Sequence, residues 1–75
     1  MNLITFHIDG MRCGMCEAHV ADQIRRALPQ AKKVKASHRK GIATFLLPIG
    51  EEAEPAKAAL EKMGYRVLDT KVEPR

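Results

Sequence analysis

A chain of 75 residues forms one small domain, which excludes an enzyme with a deep cavity and several catalytic groups around it. Its formal net charge of +4 comes with only two phenylalanines, one tyrosine and no tryptophan, a composition that argues against nucleic-acid binding. The only two cysteines are separated by two residues, and a bridge between them closes too short a loop to stabilise a secreted mini-protein.

The first half of the chain predicts a strand, a loop, a helix and a hairpin. Apolar and polar residues alternate over residues 3–8, which is typical of a half-buried strand. After a loop, apolar residues recur at helical spacing from Cys16 to Leu28, and Pro29 ends this helix. Two short alternating segments, residues 33–37 and 42–47, flank a polar turn and predict a β-hairpin.

The second half predicts one more helix and one more strand. The helix covers residues 51–63, Gly64 follows at its C-terminal cap, and the last strand covers residues 65–69. The core-facing positions of this helix are Ala56, Ala59, Leu60 and Met63. The order β-α-β-β-α-β predicts an α+β fold, the ferredoxin-like sandwich, with two helices on one face of a four-stranded antiparallel sheet. Residues 1–75 are expected to be one complete domain.

The loop after the first strand carries the sequence Gly10-Met11-Arg12-Cys13-Gly14-Met15-Cys16. A Cys-x-x-Cys pair at a strand-to-helix junction places two thiols at a helix N-terminus, where the helix dipole and unpaired N–H groups favour the thiolate. Thiolates bind soft metals or attack disulfides, so the motif indicates either a metal site or a redox site. Two thiolates satisfy Cu(I), which accepts low coordination, whereas structural zinc and iron–sulfur clusters take four ligands.

The predicted topology brings the cysteine loop, the turn of the hairpin and the turn before the last strand to one end of the sheet. Five cations flank this end, and we call them the basic rim: Arg12, Arg39, Lys40, Lys62 and Arg66. We expect the basic rim to dock an acidic protein partner. Neither nucleic-acid binding nor membrane insertion is expected, because the sequence contains no recognition-helix pattern and no apolar run of membrane-spanning length.

The motif in this context resembles the heavy-metal-associated domain and, within that family, the bacterial CopZ-type copper chaperones. The resemblance covers about residues 3–70 and includes Pro29 after the first helix and Met63-Gly64-Tyr65 before the last strand. It implies that Cys13 and Cys16 bind one Cu(I) near the surface. It also implies that Met11 packs beneath the loop without being a ligand, and that Tyr65 lies beside the site.

These observations together predict a cytoplasmic copper chaperone, not an enzyme. It would pass Cu(I) by thiolate exchange to the acidic metal-binding domain of a copper-transporting P-type ATPase. A regulatory metal-binding domain of a heavy-metal ATPase and a small thiol-disulfide oxidoreductase remain alternatives. Zn(II), Ag(I) and Hg(II) remain alternative cargoes because thiolates bind all of them. A metal ion shared between two chains of a homodimer is also left open.

Several other donor side chains lie near the motif. His19 follows Cys16 by three residues and is a candidate third ligand, although a histidine there is more often a solvated helix residue. Met15 is expected to be exposed. His38 is expected to lie over an edge strand away from the cysteine loop, and His7 is expected on the open face of the sheet.

Overall fold

The computed structural model describes residues 1–75 and contains four strands and two helices. Their bounds are β1 Asn2–Asp9, α1 Gly14–Ala27, β2 Lys32–Ser37, β3 Ile42–Leu47, α2 Glu54–Lys62 and β4 Arg66–Pro74. The strands form one sheet in the order β2-β3-β1-β4, and every neighbouring pair is antiparallel. Both helices pack on the same face, which confirms the predicted ferredoxin-like α+β fold.

The core lies between that face of the sheet and the two helices. Alternation turns every second residue of β1 and β3 toward the helices, and all of these side chains except that of Asn2 are buried. Phe6 and Phe45 stand at its centre, fully buried, with their ring centroids 5.3 Å apart in an edge-to-face arrangement. Val20 and Ile24 from α1 and Leu60 from α2 close the core from above. No polar or charged side chain is buried.

Strand β1 is central, with β3 on one side and β4 on the other. The loop that follows it therefore emerges from the middle of one end of the sheet. The Ile8 N–H donates to the carbonyl of Gly41 at 2.7 Å, which ties the end of β1 to the β2–β3 turn. The sheet thus supplies a rigid base for the cysteine loop.

The helix bounds differ from the predicted ones. Helix α1 begins at Gly14, two residues earlier than predicted, because Cys13 already has the extended backbone of an N-cap. Helix α2 begins at Glu54, not Glu51, since a turn at residues 48–51 and the proline in its first turn set the starting point. The prediction that Met63 faces the core is wrong: α2 ends at Lys62, and Met63 is 43% exposed.

Strand β4 is longer than predicted, reaching Pro74 where the sequence indicated an end near Asp69. Its last residues are polar and exposed, so backbone pairing with β1, and not apolar burial, makes them a strand. A register shift near Leu68 lets Asp69 pair with His7, which places that carboxylate on the open face of the sheet.

The helices of 14 and 9 residues both fall short of the length and apolarity that a bilayer span requires.

Candidate metal centre

The cysteine loop is held in place by close packing of its first two residues. Gly10 has φ +114°, and a side chain there would meet the Tyr65 ring at 3.3 Å, so the turn needs glycine. Met11 is buried at 8% exposure beneath the loop, as the resemblance implied. The loop therefore lies between a buried anchor on one side and the Tyr65 ring on the other.

The two thiols lie side by side at the start of α1. Cys13 is the N-cap residue and is exposed, and Cys16 is the third residue of the helix and is half-buried. Their sulfur atoms are 3.7 Å apart, well beyond the disulfide bond length of about 2.05 Å, and both cysteines are free. Two sulfur donors thus meet at a solvent-accessible helix N-terminus.

The surroundings of Cys16 favour its thiolate. Backbone hydrogen bonding from Arg12, then the Tyr65 hydroxyl and the Cys13 thiol, lower the pKa of Cys16 from the ordinary 9.0 to about 7. Burial, and then the neighbouring Cys16, raise the pKa of Tyr65, which keeps that hydroxyl protonated as a donor. A thiolate that forms near neutral pH is ready both to bind a metal ion and to exchange it.

An unpredicted contact joins the β2–β3 hairpin to the first turn of α1. The backbone N–H of His38 donates to Glu17 Oε2 at 2.7 Å, and Nδ1 of the same histidine lies 2.7 Å from that oxygen. These contacts lower the pKa of Glu17. The hairpin thus bends over the helix residue that directly follows Cys16, a contact that the sequence analysis did not anticipate, while β2 is an edge strand as expected. No local sequence signal reveals a contact between residues 21 positions apart.

No family model matches the sequence. Mercuric reductase from Lysinibacillus sphaericus is 36% identical over 66 residues, which are 88% of this chain and 12% of that protein. The Hg(II) complex of the N-terminal domain of Tn501 mercuric reductase is 29% identical, with a TM-score of 0.68 and coverage of 91% of this chain and 94% of that one. The CopZ metallochaperone shares the fold, with 19% identity, a TM-score of 0.78 and coverage of 88% and 98%. The chain is a heavy-metal-associated domain.

The remaining donors of this heavy-metal-associated domain do not join the cysteines. His19 is exposed on α1, and no three side chains of the His, Cys, Asp or Glu type come together as a metal-binding group. Met15 is 70% exposed, as expected. His7 lies on the open face with Nδ1 3.8 Å from an Asp69 carboxylate oxygen. The structure therefore presents a donor set of two sulfurs.

Replacing Tyr65 by phenylalanine is expected to raise the pKa of Cys16 back toward 9.0, because the hydroxyl that stabilises its thiolate is lost. The ring that packs against Gly10 is retained, so the loop should keep its shape. Alkylation of Cys16 by iodoacetamide at pH 7, followed by peptide mass spectrometry, should be about two- to fivefold slower than in the wild type.

The pH dependence of the alkylation rate distinguishes a change in the pKa of Cys16 from a change in the accessibility of its thiol to iodoacetamide. The wild-type rate should fall as the pH drops through about 7, whereas the Tyr65→Phe profile should be displaced to higher pH with the same plateau. Superimposable profiles would show that the hydroxyl does not act on Cys16.

Proposed function

We propose that this domain carries one Cu(I) ion on Cys13 and Cys16 and passes it to a partner protein by thiolate exchange. The observation that carries the proposal is the pair of free thiols 3.7 Å apart at an exposed helix N-terminus, with no third ligand assembled beside them. A soft monovalent ion that accepts two ligands fits this donor set, and a structural zinc ion, which takes four, does not. Such transfer requires no catalytic group, so we propose a carrier and not an enzyme.

The distance between the two sulfur atoms of one chain allows both to bind the same ion. With the zinc–thiolate bond of about 2.3 Å as a guide, two sulfurs 3.7 Å apart can both bond one ion in a bent arrangement. A linear arrangement needs a separation of twice that bond, about 4.6 Å. The exposed Cys13 side chain can supply the difference by rotating, because nothing buries it.

The charge of the loaded site favours Cu(I). Two thiolates with Cu(I) carry a net charge of −1, whereas two thiolates with Hg(II) are neutral. The positive end of α1 and the exposed cations of the basic rim stabilise the anionic complex more than the neutral one. The same cations would steer an acidic partner toward the site.

The exposed side of the site leaves room for a partner protein to take over the bound ion. A partner's thiolate can add to the bound ion, after which one of the two thiolates of this chain leaves, and a second exchange completes the transfer. No electron moves, and each bond broken is replaced by an equivalent one. The partner we propose is the acidic Cys-x-x-Cys metal-binding domain of a copper-transporting P-type ATPase in the cytoplasm.

Hg(II) is a second candidate cargo, favoured by one observation. The identity is 36% to mercuric reductase from Lysinibacillus sphaericus and 29% to the N-terminal domain of Tn501 mercuric reductase, and both exceed the 19% identity to the CopZ metallochaperone. The chain spans only 12% of the length of that reductase, so in this alternative it delivers Hg(II) to a separate or attached catalytic domain. Two thiolates also satisfy Hg(II).

Anaerobic titration of the reduced protein with Cu(I), against a chromophoric Cu(I) chelator and millimolar glutathione, tests the proposal. We expect one Cu(I) per chain, retained in excess Zn(II), because two thiolates satisfy Cu(I) whereas a structural zinc ion takes four ligands. Native mass spectrometry of the loaded protein would distinguish one ion per chain from one ion shared by two chains. Loss of Cu(I) to glutathione, with Hg(II) retained in a parallel titration, would overturn Cu(I) as cargo and favour Hg(II).

A further inference from the structure

The open face of the sheet, opposite the helices, carries a groove that is separate from the cysteine pair. It consists of two adjoining cavities of about 320 and 250 Å³ that share Lys35 and Thr44. The groove follows β2 and β3 from Arg75 at one end to Lys40 in the hairpin at the other. We call it the basic groove.

The charges in the basic groove all have one sign. Four cationic side chains line it, Lys33, Lys35, Lys40 and Arg75, and no Asp or Glu side chain does. None of the four takes part in an ion pair, whereas Arg26 on α1 is paired with Asp22 at 3.1 Å. The carboxylates on this face lie on β4 and do not line the groove: Asp69 pairs with His7, and Glu73 pairs with Leu3 at the edge of the groove. A concave surface of unpaired cations attracts an anionic ligand.

The floor of the basic groove is apolar. Leu3, Ile42 and Leu46 line it and are half-buried. The floor therefore offers apolar contact between the cations, which suits a ligand with alternating acidic and apolar groups. The groove contains no aromatic side chain on which a base could stack, which disfavours single-stranded nucleic acid.

A bulge in β2 places both Lys32 and Lys35 on this face of the sheet, and of these two Lys35 lines the groove. Lys32 pairs with Leu46 and Lys35 pairs with Thr44, so three steps along β2 match two steps along β3. In a regular strand, residues three apart face opposite sides of the sheet, whereas here both lysines share the face of their partners. The bulge requires φ +53° at Lys33, a left-handed conformation that lysine rarely adopts. Strained backbone of this kind persists where the surrounding structure imposes it, and it is frequent at binding surfaces.

We propose that the basic groove binds an acidic polypeptide segment in extended conformation. A strand of six residues such as β3 spans about 20 Å, which sets the length of the segment at about six residues. Alternate apolar side chains of the segment would lie on the floor. The acidic side chains between them would point away from the floor, where the long lysine and arginine side chains can reach them. Because the groove is on the sheet face and the cysteines are at the end of the sheet, such a partner would leave the thiols accessible.

The test uses the full chain and a fluorescent peptide of about eight residues that alternates glutamate and leucine. The variant Lys33→Glu/Lys35→Glu reverses two groove cations, and Arg25→Glu/Arg26→Glu makes the same charge change on α1. We expect the groove variant to weaken peptide binding about tenfold or more, and the α1 variant to change it less than about threefold. In the wild type, NMR shifts on peptide addition should centre on Leu3, Lys35, Thr44 and Leu46.

Two outcomes would overturn the proposal. Equal weakening by both variants would show that only the net charge of the protein attracts the peptide. Tighter binding of a single-stranded oligonucleotide or of phosphatidylserine vesicles, lost in the groove variant alone, would assign the groove to a different class of ligand. The neutral variant Lys33→Gln/Lys35→Gln is a control for misfolding caused by charge reversal. Its Cu(I) binding is expected to match that of the wild type, which would show that the groove and the metal site act independently.

Discussion

Serine in place of either Cys13 or Cys16 is expected to weaken Cu(I) binding by at least about a thousandfold, ~4 kcal/mol of binding free energy. The reason is that a hydroxyl is a hard donor, so each variant retains one soft ligand where the ion needs two. Competition with a chromophoric Cu(I) chelator under anaerobic conditions measures the loss directly.

The same variants should fold as the wild type does. Cys13 is exposed and Cys16 lies only against the edge of the core, so the change in unfolding free energy should stay within about 1 kcal/mol. His19→Ala, one turn further along α1, is the matched control and should retain full affinity. A comparable loss of Cu(I) affinity in the histidine variant would show that His19 is a third ligand, and the argument for Cu(I) over Zn(II) would then fail. Tight binding by either serine variant would refute the two-thiolate site.

Replacing Phe45 by alanine is expected to cost about 3–5 kcal/mol of unfolding free energy. The Phe45 ring is fully buried and contacts Phe6 edge to face, so its loss leaves a cavity at the centre of the only core. A domain of this size is held together by only a few kcal/mol, so most of the variant should be unfolded at 25 °C. Urea denaturation followed by circular dichroism measures the effect.

Two related variants make the measurement interpretable. Phe45→Leu removes less volume and should leave a folded population whose lower urea midpoint can be quantified. Thr44→Ala alters the adjacent residue, whose side chain lies on the opposite face of the sheet, and should cost less than about 1 kcal/mol. A Phe45→Ala variant as stable as Thr44→Ala would show that this pair of rings does not anchor the fold.

These two experiments distinguish the contribution of the folded core to metal binding from that of the ligands themselves. The core variant should lose metal binding only because the loop loses its base, whereas the serine variants lose the ligands on an intact base. Osmolyte rescue of Phe45→Ala should therefore restore Cu(I) binding in proportion to the folded fraction. An osmolyte should not restore Cu(I) binding in the serine variants, because they are folded and lack one ligand.

Hydrophobic periodicity predicted the parts of the fold that bury apolar side chains. The alternation around Phe6 and Phe45 and the helical spacing of Val20 and Ile24 correspond to observed elements, because burial of these residues is what stabilises those elements. The same criterion failed for the second half of β4 and for Met63. Pairing with β1 extends β4, and the end of α2 at Lys62 leaves Met63 exposed. Neither effect is a property of the local sequence.

The sequence by itself determined the order of the elements, the position of the two cysteines at a helix N-terminus and the excess of positive charge, since each depends on residues close together in the chain. Only the tertiary structure decided what surrounds the thiols and where the cations converge. The Tyr65 hydroxyl lowers the pKa of Cys16 and His38 binds Glu17, each across distant segments of the chain. The β2 bulge turns Lys32 and Lys35 to one face. Such contacts depend on the register of the strands and the packing of the helices, which are set by the whole core at once.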